Sequence, residues 1–277
     1  MADLRTATEV TGADGQWQAT VSDDWDLWGP NGGYLAAIAL RAADRHGPGM
    51  RPASLECHFL HAARPGPAEV VTQTLKGSSR AQSVRVSLYQ GGREILAGLV
   101  WTVGRGLDGF PRRSAAAPSC PGPGGLRPFP ELVPPGHAYT ESFWTHVEER
   151  PVNQSRHLMW PDDPADDPVR HSWLRFRPHD READPYLDAG RSVIAVDVFP
   201  FLAGVIVLPP GPLTHIAPTL ALSVSFHSLE SASEWLHVRT ESHYSGDGLL
   251  SGRSSVWGDN GDLVASGRVQ MLCRPLR

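Results

Sequence analysis

The stretch from Tyr34 to Ala43 (YLAAIALRAA) constrains the fold more than any other, because it is almost entirely small and apolar. Alanine and leucine are strong helix formers, and a helix that is apolar all round is buried rather than surface-lying. The preceding residues, Pro30 to Gly33, have the composition of a tight turn. We therefore predict a turn that leads directly into one long buried helix.

The segment after this helix predicts β-strands. Apolar and polar residues alternate there with a period of two, which is typical of half-buried strands. Gly91-Gly92 predicts a hairpin turn between the last two of them. The strands are predicted at Arg51 to Leu60, Val70 to Leu75, Ser83 to Tyr89 and Ile95 to Val103. A helix wrapped by four strands in meander succession follows from this pattern.

A break in composition then divides the chain. Residues 104–136 are crowded with proline, glycine and alanine, and such a segment does not build a packed core. We therefore predict an N-terminal domain at residues 1–104, a linker at 105–136 and a C-terminal domain at 137–277.

The second domain repeats the order of the first. Its predicted helix is Arg191 to Leu208, with an end obscured by Pro200 and Gly204. Its predicted strands are Tyr139 to Glu148, Ser172 to Arg177, Thr219 to Phe226, Trp235 to Ser242, Leu250 to Trp257 and Leu263 to Leu272. The spacing from residue 59 to 97 is 38, and that from 226 to 265 is 39, so we predict an internal duplication.

Composition narrows the functional classes. A net charge of −5 provides no basic field for nucleic acid, and no apolar run is long enough to span a bilayer. Three scattered cysteines without a CxxC spacing favour a reducing cytoplasm over a disulfide framework. No metal-ligand spacing such as HExxH occurs, so we expect neither a metal nor another cofactor.

Three runs together resemble the acyl-CoA thioesterase II family. They are NGGYLAAIALRAA, RPASLECHFLHAARPGPAEV and the WLRFR strand of the second half. The resemblance covers nearly the whole chain apart from the linker and the loop near Asp162. It implies an α+β double hotdog fold, in which each of two tandem domains wraps a curved antiparallel sheet round a long helix. It also implies hydrolysis of coenzyme A thioesters.

The resemblance implies a catalytic set of Asp, Thr and Gln. Asp197 falls where the family has its helix Asp, and Thr219 matches the strand Thr. Counting along the last strand places the family's Gln at Val269, whereas the chain has its glutamine at Gln270. A β-bulge near Gly267 would turn Gln270 to the inner face, and we expect Gln270 to complete the set on that condition.

Each of these residues also has an ordinary structural explanation. Asp197 is flanked by apolar residues, where a lone carboxylate is costly unless it is paired; the alternative is a helix-terminal or solvent-facing carboxylate. Thr219 and Gln270 could be plain strand residues. Asn31 is a natural helix cap, or with Gly32 and Gly33 it contacts the substrate, since the N–H groups of a helix start can bind an oxyanion.

The expected function is hydrolysis of an acyl thioester of coenzyme A, or of a carrier-protein phosphopantetheine, by water that Asp197 activates. We expect a cytoplasmic protein of lipid metabolism. We also expect it to form a homo-oligomer, because exposed sheet edges pair between subunits. Two alternatives stay open. One is a hotdog protein that binds an acyl or polyketide-like ligand without hydrolysis, and the other is a hotdog dehydratase or cyclase.

Overall fold

The structure is a computed structural model that describes residues 3–47, 49–133, 141–154, 166–178, 184–209, 211–229 and 233–276. Its first half contains a short helix, two strands, a long helix and four more strands. These are α1 Leu4–Ala7, β1 Thr11–Ala13, β2 Gln16–Val21, α2 Gly32–His46, β3 Arg51–Phe59, β4 Gly66–Gly77, β5 Ala81–Gln90 and β6 Arg93–Val103.

The second half repeats this plan with a longer helix. Its elements are α3 Phe143–His146, β7 Val147–Pro151, β8 Val169–Phe176, α4 Pro185–Val205, β9 His215–Ile216, β10 Thr219–Phe226, β11 Trp235–Gly246, β12 Leu249–Gly258, β13 Leu263–Leu272 and β14 Arg274–Pro275.

The described residues form one twelve-stranded antiparallel sheet that runs through both halves. Its order is β1-β2-β4-β5-β6-β3-β10-β13-β12-β11-β8-β7, and β9 pairs separately with β14. The order β4-β5-β6-β3 of the first half recurs as β11-β12-β13-β10 in the second. The predicted repeat of a helix and four strands is therefore present, and β3 and β10 join the two halves at the centre.

Two details of the sequence prediction are wrong. The four strands are not a simple meander, because β3 pairs with β6 and not with β4. The proposed match of Ala97 to Ala265 is one residue out of step: Phe59 opposes Leu96, whereas Phe226 opposes Ala265. Both errors have the same cause. A local sequence pattern predicts where a strand lies but not which distant strand it pairs with, or in which register.

Element boundaries in the second half also differ from the prediction. The helix runs over Pro185–Val205 instead of 191–208. The predicted strand over 139–148 begins outside the described residues, and its described part is a helical turn followed by a strand at Val147–Pro151. The loop at Asp162 also lies outside the described residues.

The two long helices lie side by side and antiparallel under the sheet. Glycines allow this close approach: a Cβ on Gly33 would lie 2.6 Å from the Cα of Ile194, and one on Gly190 would lie 3.3 Å from the Cβ of Ala37. At the other end, Arg41 donates to Asp184, the N-cap of α4, at 2.8 Å. The predicted all-round burial of α2 is confirmed from Gly33 to Ala43.

Helix α4 continues through a proline. Pro200 has no N–H to donate, so the carbonyl of Val196 loses its usual partner four residues on. The hydroxyl of Ser254 on β12 donates to that carbonyl at 3.3 Å and replaces the missing bond. The helix therefore passes the point where the sequence made its end ambiguous.

The Pro/Gly-rich segment carries no strand between residues 105 and 133, the part of it that the structure describes. It is held against the second half by two indole N–H groups. Trp173 donates to the carbonyl of Pro121 at 2.9 Å, and Trp257 donates to that of Ala115 at 3.0 Å. This part of the segment therefore follows a fixed course across the sheet.

Candidate active site

Asp197 lies in the middle of α4 with only 4 % of its surface exposed. Its carboxylate accepts three hydrogen bonds. Oδ2 accepts from Asn31 Nδ2 at 3.0 Å and from the backbone N–H of Gly33 at 2.8 Å, and Oδ1 accepts from the hydroxyl of Thr219 at 2.8 Å. The carboxylate is thus buried but hydrogen-bonded by groups from both halves.

The donors from the first half belong to the start of α2. Asn31 is the N-cap, and its Oδ1 accepts from the N–H of Tyr34 at 2.9 Å. The same amide therefore caps one helix with its oxygen and binds the carboxylate of the other helix with its nitrogen. The close contact of Gly33 with α4 brings its own N–H within reach of Asp197.

Thr219 reaches Asp197 because the first residues of β10 are irregular. Thr219 opposes Met271 and Ala221 opposes Gln270, so Leu220 is an extra residue in the ladder. Without this bulge, the alternation that buries Leu222 would turn Thr219 to the outer face. The bulge instead leaves Leu220 exposed and directs Thr219 inward.

Burial sets the protonation behaviour of this carboxylate. Loss of hydration raises the pKa of Asp197 above its ordinary value, and the hydrogen bonds from Thr219, Gly33 and Asn31 lower it by a smaller amount. A raised pKa makes a carboxylate a stronger base once it is ionised. Asp197 is therefore suited to accept a proton from water.

The structure does not bring Gln270 to this cluster. Its Oε1 accepts from the hydroxyl of Ser251 at 3.0 Å, and its Nε2 donates to the carbonyl of Leu250 at 3.4 Å. The ladder from Ala265 to Gln270 is regular, so the bulge expected near Gly267 is absent from β13 there. Val269, which is buried, takes the inner face instead.

A cavity of about 160 Å³ opens beside Asp197 and Thr219. Asn31 and Gly32 also line it, and Glu141 and Arg274 add charged side chains. A Cβ on Gly32 would lie 3.1 Å from Asp197 Oδ2, so glycine keeps this corner open. Among the described residues, the N–H of Gly32 has no hydrogen-bond acceptor, as expected for the first N–H of a helix.

The three residues predicted to bind substrate are thus placed differently from one another. Gly32 lines the cavity with its N–H available to a ligand. Asn31 lines it too, but its amide nitrogen is already bonded to Asp197. Gly33 does not line it, and its N–H is directed at the same carboxylate. Asn31 and Gly33 therefore hold Asp197, and this contact was not foreseen.

The sequence predicts apolar surroundings for the acyl chain but does not identify the residues that form the apolar wall of the cavity. Trp28, Trp144 and Phe201 contribute aromatic rings to it, and the rings of Trp28 and Phe201 meet edge to face at 4.8 Å. These residues come from a loop, a short helical turn and α4. The Trp28-Gly29-Pro30 run before α2 was a usable signal, because a tryptophan beside a tight turn lies next to whatever the turn binds.

The described residues provide neither a metal site nor a membrane-spanning helix. No group of three or more His, Cys, Asp or Glu side chains there is arranged to hold a metal ion. None of the helices in that part of the chain combines the length and apolar character needed to cross a bilayer.

Family comparison matches both halves of the chain. A model described as the acyl-CoA thioesterase N-terminal domain matches residues 21–103, and one described as the C-terminal domain matches residues 118–272. The second model alone spans more than half of the chain.

Solved structures with the same fold cover nearly the full length. A candidate thioesterase II from Thermobifida fusca superposes with a TM-score of 0.81 at 23 % identity, over 99 % of this chain and 97 % of its own. The acyl-CoA thioesterase II TesB2 of Mycobacterium marinum superposes with a TM-score of 0.78 at 17 % identity, over 99 % and 98 %. These likenesses confirm the predicted double hotdog fold.

One curated relative is similar in a short region. The thioesterase-like protein TwmA of Talaromyces wortmannii is 41 % identical over 66 residues, which are 23 % of this chain. The matched region spans only 19 % of that relative's length.

Proposed function

Because the chain belongs to the acyl-CoA thioesterase family, we propose that it hydrolyses an acyl thioester of coenzyme A to the free acid and the thiol. The observation that carries this proposal is the buried carboxylate of Asp197, which faces a cavity together with the hydroxyl of Thr219. A thioester is already activated, so a positioned water, a base and an oxyanion donor are sufficient machinery.

Asp197 and Thr219 would hold the attacking water between them. A carboxylate has about four acceptor positions, and three of those on Asp197 are occupied by Asn31, Gly33 and Thr219. The remaining position accepts one hydrogen of the water. The hydroxyl of Thr219 donates its own hydrogen to Asp197, so its lone pairs accept the other. A lone pair of the water then points at the thioester carbon.

The reaction follows from this placement. The water oxygen bonds to the thioester carbon while Asp197 takes its proton, and the carbonyl oxygen becomes an oxyanion. The free N–H of Gly32, at the positive end of α2, is the donor we assign to that oxyanion. Collapse of the intermediate breaks the carbon–sulfur bond, and the proton on Asp197 passes to the departing sulfur.

The cavity favours a compact acyl group. Its volume of about 160 Å³ is close to that of an engineered cavity of about 150 Å³ that binds benzene. Its apolar lining combines three aromatic side chains with aliphatic ones such as Val198 and Leu202. We expect thioesters with a short-chain or single-ring acyl group to be turned over faster than long straight chains.

The proposal also covers the cellular location and the oligomeric state of the protein. The cysteines at positions 57, 120 and 273 are free, which agrees with a reducing cytoplasm. Strands β1 and β7 end the described sheet and offer edges for pairing between subunits. We propose a cytoplasmic homo-oligomer that acts in lipid metabolism, on coenzyme A or carrier-protein thioesters. Light scattering that gives the mass of a monomer would refute the oligomer.

The decisive test replaces Asp197 with asparagine. Asp197→Asn keeps the shape of the side chain and removes the base, so thiol release from acyl-CoA should fall by about 100-fold to 10,000-fold. The fold should gain stability at neutral pH, because a buried charge with a raised pKa costs free energy when it is ionised. Thiol release across a series of acyl chain lengths and thermal unfolding at pH 5 and 8 measure both effects.

A matched control removes another buried carboxylate from the same helix. Asp188 pairs with Arg191 one turn from the start of α4 and does not line the cavity. Asp188→Asn should therefore retain thiol release. Unchanged turnover in Asp197→Asn contradicts the mechanism. Binding of acyl-CoA without any thiol release by the native chain would favour the non-hydrolytic binder, in keeping with the outward position of Gln270.

A further inference from the structure

The two halves place equivalent residues at opposite ends of the central strand pair β3–β10. Strand β3 has an irregularity between Pro52 and Ser54, where Ala53 is the extra residue. Strand β10 has the corresponding irregularity between Thr219 and Ala221. Pro52 therefore has in the first half the position that Thr219 has in the second. Proline has no hydroxyl, so the mirrored end lacks this part of the candidate catalytic cluster.

A different kind of pocket lies at this mirrored end. It has a volume of about 620 Å³, and its lining includes three arginines, Arg51, Arg112 and Arg113, together with His227 and Asp262. Arg51 directly precedes Pro52, and His227 directly follows the last residue of β10. A pocket with three arginines in its lining therefore lies next to the position that mirrors Thr219.

Within the described part of the chain, one of the three guanidinium groups has a carboxylate partner. Arg112 pairs with Asp262 at 2.9 Å and donates to the hydroxyl of Ser228 at 2.6 Å. Among the described residues, Arg51 and Arg113 have no carboxylate within ion-pair distance. Two positive charges therefore line this pocket without a counter-ion from the residues that the structure describes, in a chain whose net charge is −5.

The wall that carries Arg113 is fastened on both sides. Arg112 binds the turns at Ser228 and Asp262, and the carbonyl of Ala115 accepts from the indole of Trp257 at 3.0 Å. Arg113 lies between these two anchored residues. These contacts restrict the backbone on both sides of Arg113 in the absence of a ligand, which lowers the entropic cost of binding.

We propose that this pocket is a binding site for a phosphate-bearing ligand, separate from the candidate active site. Guanidinium groups bind phosphate oxygens through paired charge-assisted hydrogen bonds, and the volume falls within the range of about 300–1,000 Å³ that is usual for small-molecule sites. The phosphates belong either to coenzyme A or to a free phosphorylated metabolite. The site does not depend on thioester hydrolysis.

Calorimetric titration of the full chain with ADP, coenzyme A and inorganic phosphate tests the proposal. The double variant Arg51→Gln/Arg113→Gln should weaken binding of ADP at least tenfold. Arg85→Gln, which removes an exposed arginine from the outer face of β5, is the matched control and should bind like the native chain. Added salt should weaken native binding, because the contacts are ionic.

The outcomes separate the two sources of phosphate. A raised KM for acyl-CoA with unchanged kcat in the double variant identifies the phosphates of coenzyme A. Binding of ADP with unchanged KM identifies a free anion. Absence of binding of all three probes to the native chain, or equal binding by the double variant and the Arg85→Gln control, overturns the proposal. Thiol release by the native chain is read separately, so failure of the proposed hydrolysis is distinguishable.

Discussion

Replacement of Asn31 separates the two tasks of one side chain. Its oxygen caps α2 through the N–H of Tyr34, and its nitrogen donates to Asp197. A lost cap costs about 1 kcal/mol, and a lost hydrogen bond to a charged group costs about 1.5–3 kcal/mol. Asn31→Ala should therefore lower the free energy of unfolding by about 2.5–4 kcal/mol.

Asn31→Asp keeps the cap and reverses the second contact. The new carboxylate would lie about as far from Asp197 as the amide nitrogen does now, 3.0 Å. Two carboxylates at that distance share a proton, which raises the pKa of the pair. Since the pKa of Asp197 is already raised by burial, the variant should lose stability as the pH rises from 4 to 8, and by more than the native chain does.

The pH dependence of activity should show the same rise in the pKa of the carboxylate pair. The acid limb of kcat/KM follows ionisation of the base, so it should move to higher pH by one unit or more in Asn31→Asp. Urea unfolding at several pH values and thiol release over pH 4–9 measure the two effects. If Asn31→Asp kept the native pH profile in both assays, the contact between Asn31 and Asp197 would not govern the carboxylate.

Three further outcomes follow from the contacts described above. Gly33→Ala should lower the free energy of unfolding by about 1–3 kcal/mol, seen as a lower melting temperature, because its Cβ would lie 2.6 Å from the Cα of Ile194; an unchanged value would mean that the helices separate freely. Gln270→Ala should leave thiol release unchanged, since its amide contacts Ser251; a large loss would place the amide at the reaction. Burial alone would raise the pKa of Glu148, but hydrogen bonds from three arginines lower it to about 2. The stability that this group provides above its ordinary pKa should therefore be lost as the pH falls towards 2, and Glu148→Gln should weaken that dependence in acid titrations of unfolding.

The buried helix and the duplication could be predicted from patterns in the sequence, and the family resemblance pointed to Asp197. All-round apolarity in α2 reveals its burial, and a carboxylate within an apolar helix is conspicuous. Helix α4 was harder to delimit, because the partner that compensates for Pro200 is Ser254, more than fifty residues away.

The inner face of each strand near the site could not be predicted, because a bulge depends on the partner strand. An irregularity near Gly267 is the condition for Gln270 to turn inward, and β13 is regular there. Strand β10 has an irregularity at Leu220, which turns Thr219 inward. Whether each of these two polar side chains meets Asp197 thus depends on the pairing of its own strand. The contact of Asn31 with Asp197 depends on how closely the helices approach, which a local pattern does not encode.

The antiparallel pair of α2 and α4 allows the residues at the two ends of the molecule to be substituted independently. In a dimer of identical chains, every substitution is made twice, so a residue that serves as donor at one end is also present at the other. Here the donor helix and the acid helix are encoded separately. Asn31 can specialise as a donor while Asp197 specialises as an acid, and Pro52 can replace the hydroxyl at the mirrored end without harm to Thr219. Because the two ends are built from different residues of one chain, a substitution at one end leaves the composition of the other end unchanged.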